Sequence, residues 1–133
     1  VKIIGIIGSR RRNSPEDFAQ CEKAFLAIYK DGDEIVSGGC WAGGDKFAEI
    51  LAKKYQVPIK IYYAQWRKLG KIAGFTRNTN IADDCHVLIA LVSPDRTGGA
   101  EDTIRKAQFK GKEIILLESP EALPKEWDVN LEI

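Results

Sequence analysis

Five short apolar runs, at residues 2–7, 34–36, 59–62, 86–92 and 113–117, are each of strand length and mostly β-branched. Helical patterns separate them. Ser14 offers an N-cap, Pro15 suits the first helical position, and Glu16 and Asp17 place acids in the first turn. Phe18, Cys21, Phe25 and Ile28 then recur at helical spacing, and the helix stops at Asp31–Gly32. A second helix starts near Gly44–Asp45 and carries Phe47, Ile50, Leu51 and Tyr55 on one face. A third includes residues 76–84, and a fourth runs over 100–110 to Gly111. Strands alternating with helices predict right-handed crossovers and a parallel sheet covered on both faces. The expected fold is α/β: one Rossmann-like three-layer domain over residues 1–133, with five parallel strands in the order 3-2-1-4-5. The tail at 119–133 has no clear period, and Trp127 is expected to pin it to the body.

Composition narrows the setting. A chain of 133 residues supports one domain with a real core. Its 20 Lys and Arg balance 19 Asp and Glu for a net charge of +1, so a general polyanion binder is not indicated and phosphate recognition has to be local. Nucleic acid is accordingly not an expected partner. Cys21, Cys40 and Cys85 are odd in number and form no CxxC pair, which fits free thiols in the cytoplasm better than a disulfide framework or a zinc site. No apolar run approaches membrane-spanning length, and no metal or cofactor is implied.

The small polar motifs fall where such sheets bind ligands. Gly8, Ser9 and Arg10 follow the first strand, Ser37, Gly38 and Gly39 the second, and residues 93–99, including Gly98 and Gly99, the fourth. In an open parallel sheet these carboxyl ends meet helix N-termini, whose free N–H groups and positive dipole ends attract anions. Glycine lets the backbone come close to an anion, and Ser9 and Ser37 add hydroxyl donors. The mouth of the sheet is expected to take a phosphate or a ribose, although glycines that merely end strands would look the same.

Four motifs, taken in order, carry a family resemblance: GSR at 8–10, SGGCWAGGD at 37–45, W-x3-GK-x-AG-x2-RN at 66–78 and ADDCHVLIALV at 82–92. Together they resemble the YspA-type branch of the SLOG superfamily, Rossmann-like nucleotide-binding domains that include the DprA proteins, the molybdenum cofactor carriers and the LOG phosphoribohydrolases. The resemblance implies a nucleotide or nucleotide-derived ligand, a sensor or carrier role and a homodimer. LOG enzymes cleave the N-glycosidic bond of nucleoside 5′-monophosphates with an Arg-Lys pair and a PGGxGTxxE loop. Arg77 matches the arginine, and Asn78 replaces the lysine as in the YspA-type pattern. The loop reads TGGAEDT, so Gly98 and Gly99 are kept while Thr103 stands where the catalytic glutamate would be. Stabilising an oxocarbenium-like transition state and activating water need a carboxylate at a defined place. Hydrolysis would therefore have to use Glu101 or Asp102. A helix starting near Ala100 turns Glu101 and Thr103 about 200° apart, so Thr103 facing the ligand implies Glu101 facing largely away.

Single residues leave alternatives open. Arg77 could clamp a phosphate or pair with Asp83 or Asp45. Asp45 could bond a ribose hydroxyl or cap its helix. Arg10 could face a phosphate, whereas Arg11 and Arg12 are expected to stay solvated. Trp66 reads as an anchor of the fold ahead of a stacking platform, Trp41 as a rim or subunit contact, and His86, the only histidine, as structural. Cys40 sits near a helix N-terminus, without an evident partner for nucleophilic chemistry.

Overall fold

A computed structural model of the chain describes residues 1–119. The predicted tail and its Trp127 lie, apart from Ser119, outside the described residues. Five strands, β1 (Ile3–Gly8), β2 (Glu34–Ser37), β3 (Ile59–Ile61), β4 (Val87–Leu91) and β5 (Glu113–Leu117), form one sheet in the order β3-β2-β1-β4-β5. All neighbours are parallel, and β1 runs beside β4 from Ile4 opposite Val87 to Gly8 opposite Leu91. Helices α1 (Pro15–Ile28), α2 (Gly44–Tyr55), α4 (Ala73–Asp84) and α5 (Gly99–Phe109) connect the strands, and a short α3 (Trp66–Leu69) leads through a 3-10 turn, Gly70–Ile72, into α4. This is a Rossmann-like α/β architecture.

The strand alternation divides the core. Ile4, Ile6, Ile35, Ile89 and Leu91 point to one face and pack with Phe25 of α1 and Leu51 of α2. Ile7, Val36, Leu88 and Ala90 point to the other and pack with Ile81 of α4 and Ile104 of α5. Every residue of β4 is buried, as expected of a strand covered on both faces.

Local chemistry explains where the helices begin. Ser14 Oγ accepts from the Asp17 amide while Asp17 accepts from the Ser14 amide, a reciprocal cap with Pro15 in the first turn. Helix α2 starts against β1 so closely that a Cβ on Gly44 would lie 2.2 Å from the Ile7 carbonyl carbon. Only glycine fits there. The third helix, α4, contains the predicted 76–84 and begins three residues earlier, at Ala73, with α3 and its 3-10 turn before it. No helix among the described residues is long and apolar enough to cross a membrane.

Arg12 corrects the expectation of a solvated basic run. It is buried, with Nε donating to Asp17 at 2.8 Å and Nη1 to the Val92 and Leu117 carbonyls at 2.7 and 2.9 Å. Its guanidinium thus ties α1 to the ends of β4 and β5. Burial works to raise the Asp17 pKa, but the bonds from Arg12 and Ser14 hold it below the usual carboxylate value.

Candidate functional site

Beyond the carboxyl ends of β1, β2 and β4 lies a cleft of about 1120 Å³. The end of β1 and the loop after it supply Gly8, Ser9 and Arg10, the loop after β2 supplies Gly38 and Gly39, α4 supplies Arg77 and Asn78, and α5 supplies Gly98, Gly99, Asp102 and Thr103 from its first turns and cap. Segments distant in the chain therefore meet at the mouth of the sheet.

On the α5 side, Gly98 caps the helix at φ 105° without any side-chain cap. Within the described residues, the amides of Gly98, Gly99 and Ala100 donate to no acceptor. A Cβ added to Gly98 or Gly99 would meet nothing within 4 Å, so this backbone faces open space. Thr103 lies one turn further on. It is only 2% exposed, lines the cleft, and its hydroxyl makes no hydrogen bond among the described residues. Unpaired helix N-terminal amides beside an unpaired, recessed hydroxyl make a donor cradle for an anion.

The loop after β1 frames that cradle. The Ser9 amide donates to the Leu91 carbonyl at 2.9 Å, and Ser9 Oγ accepts from the Arg11 amide at 3.2 Å. The hydroxyl proton of Ser9 stays available. Arg11 is held by Asp95 and by Thr97 Oγ1, whereas Arg10 is exposed and pairs with no described carboxylate. The bonds from Arg11, Thr97 and Ser93 keep the Asp95 carboxyl well below its usual pKa.

The floor is built from Arg77, Asn78 and Asp45. Arg77 makes only long contacts, Nε to Asn78 Oδ1 at 3.3 Å and Nη1 to the Gly38 carbonyl at 3.4 Å. Neither expected partner binds it directly, since Asp83 pairs with Lys110 and Asp45 acts on it only through its charge. Asn78 is buried and bridges to α5, donating to Asp102 at 3.1 Å and to the Gly99 carbonyl at 3.4 Å. Asp45 accepts from the Cys40 amide at 3.1 Å, and its Oδ1 lies 3.2 Å from the Ser37 hydroxyl oxygen. It braces the glycine loop from beneath, and burial pushes its pKa up against the opposing pull of the Cys40 amide, the Arg77 charge and Ser37.

Two expected site residues are not brought to the cleft surface. Ser37 is fully buried, and its hydroxyl donates to the Ile6 carbonyl at 2.6 Å. Glu101 is turned aside, gripped by Arg96 through Nε to Oε2 and Nη2 to Oε1, both at 2.9 Å. Asp102 does line the cleft, but its Oδ2 accepts from both Asn78 and Lys106. Trp66 departs from expectation more plainly: it is 59% exposed and is no anchor of the core. His86 has a structural contact, as expected of it: it is exposed just before β4, where its Nδ1 accepts from the Ile3 amide at 2.8 Å, far from the cleft end of the strand. Sequence reasoning missed Tyr63, Lys71 and Phe75, which also line the cleft. Tyr63 visibly follows a strand end, but nothing in the spacing of the three distinguishes them from surface residues.

The lining holds the cations Arg10, Arg11, Lys71, Arg77 and Arg105 against the carboxylates Asp45, Asp95 and Asp102. A nearly neutral protein thus keeps a local surplus of positive charge where the free amides point. Fold and cleft define an open-sheet α/β protein with a cleft at the strand carboxyl ends whose lining carries more cations than carboxylates. No protein-family model matches the chain, and neither a curated protein nor a solved structure does.

Proposed function

We propose that the protein binds a phosphorylated nucleoside as a sensor or carrier module, with the phosphate at the start of α5 and without chemical turnover. The observation that carries this reading is the recessed, unpartnered Thr103 hydroxyl beside the free amides of Gly98, Gly99 and Ala100. Arg10 and Arg77 supply charge that no described carboxylate pairs directly, and the resemblance to the YspA-type SLOG branch supports a nucleotide-derived ligand. Turnover is disfavoured because Glu101 is committed to Arg96 and Asp102 to Asn78 and Lys106.

Binding to the native state raises its stability in proportion to affinity. A nucleoside monophosphate is therefore expected to raise the melting temperature clearly, and the parent nucleoside much less. Arg77→Ala is expected to remove most of that difference, a loss of about 1.5–3 kcal/mol for one charge-assisted contact. Equal shifts from nucleotide and nucleoside, or an undiminished shift in the variant, would refute the proposal. The competing N-glycosidase reading rests on Asp102, the one member of the candidate catalytic pair in the lining. Release of free base from nucleoside monophosphates, lost in Asp102→Asn, would establish it instead.

A further inference from the structure

Part of the cleft lining is aromatic. Tyr63, Trp66 and Phe75 all line the cleft and are 63%, 59% and 57% exposed. Single exposed aromatics need no explanation, but three large rings turned into one cleft form a surface that water covers poorly.

The backbone beneath is shaped to seat these rings. A Cβ at Gly39, which has φ +73°, would lie 2.6 Å from the Tyr63 ring, and one at Gly74 would lie 3.3 Å from Trp66 Cη2. Each ring thus rests close on a glycine. Phe75 is held differently: the Lys106 ammonium lies 5.5 Å from its ring centroid and donates to the Phe75 carbonyl at 2.8 Å.

From this arrangement we infer that the aromatic wall takes the heteroaromatic base of the ligand by stacking, recognising a planar ring and not the pattern of groups along its edge. The inference deepens the nucleotide reading and rests on it. Phosphate donors at the start of α5 and exposed rings lining the same cleft suit a molecule with an anion at one end and a flat apolar face at the other. Every base has a π-face, so stacking tolerates base identity, while edge recognition requires donors and acceptors at fixed places. The three rings offer few of these, only the Tyr63 hydroxyl and the Trp66 indole N–H. Purines should bind more tightly than pyrimidines because they cover more ring area.

Calorimetric titration with AMP, GMP, CMP and ribose 5-phosphate tests this, using the full chain and its Trp66→Ala and Trp66→Phe variants. AMP and GMP are expected to agree within about threefold and each to bind about tenfold or more tightly than ribose 5-phosphate. Trp66→Ala should weaken AMP by about tenfold and leave ribose 5-phosphate unchanged, with Trp66→Phe restoring most of the loss. Ribose 5-phosphate binding as tightly as AMP would overturn the stacking role while leaving phosphate recognition standing. A large preference between AMP and GMP would overturn base tolerance. Failure of every phosphorylated compound to bind would remove the nucleotide reading itself. A Trp66→Ala variant that keeps its AMP affinity but changes mass by light scattering would overturn the inference and assign the wall to a second copy of the chain.

Discussion

At the residue scale, the glycines divide into two kinds that look alike in the sequence. Gly44 serves packing, since any side chain there would press into the backbone of β1, and Gly99 has open space where a Cβ would go. Substitution separates them. Gly44→Ala is expected to destabilise the protein by about 3 kcal/mol or more, read from denaturant midpoints, because backbone cannot move aside as a flexible side chain can. Gly99→Ala is expected to leave stability within about 0.5 kcal/mol and yet weaken phosphate binding, because the added methyl occupies the ligand's approach. If Gly99→Ala binds a nucleotide as tightly as the unaltered protein, the phosphate does not sit there. Arg12 shows why other residues were illegible. Its carbonyl partners are 80 and 105 residues away, so nothing in the run Arg10-Arg11-Arg12 distinguishes the buried cation from its exposed neighbours. Ser37 poses the same difficulty, because a hydroxyl at a strand end can serve a ligand or, as here, a neighbouring carbonyl.

Among the elements, helix and strand patterning was legible wherever period and capping agreed. Ser14, Pro15 and Asp17 mark the start of α1, and the alternation of strands and helices led to the order 3-2-1-4-5. The start of α5 at Gly99 sets Thr103 toward the cleft and Glu101 toward Arg96, as its angular spacing predicted. By contrast, α3 is four residues long and too short to show a period, so Trp66 could not be placed. The approach to β2 is held by charge. Asp33 accepts from the Lys2 amide and ammonium and the Lys30 amide, and although burial works to raise its pKa, these partners hold it at about 2. An Asp depressed below its unfolded value of about 3.9 stabilises the native state above that value and stops doing so as pH falls through the folded pKa. Stability should therefore decline from about pH 4 toward about pH 2, with Asp33→Asn showing a shallower decline over that window and lower stability at neutral pH. Equal slopes in chemical denaturation across pH would show that Asp33 does not govern it.

For the whole molecule, the open sheet accounts for the site. Loops after β1, β2 and β4 reach one edge only because the strands are parallel, and helices α2 and α5 begin at that same edge. A net charge of +1 hides a cleft with five cations and three carboxylates, a distribution that no reading of composition could detect. Reception of the phosphate by the first turn of α5 is read by amide NMR titration. On adding AMP, the largest shift changes are expected at Gly98, Gly99, Ala100 and Thr103, with inorganic phosphate moving the same amides more weakly. Unmoved amides at these four positions while AMP binds elsewhere, or no binding by either compound, would show that the phosphate is not received there.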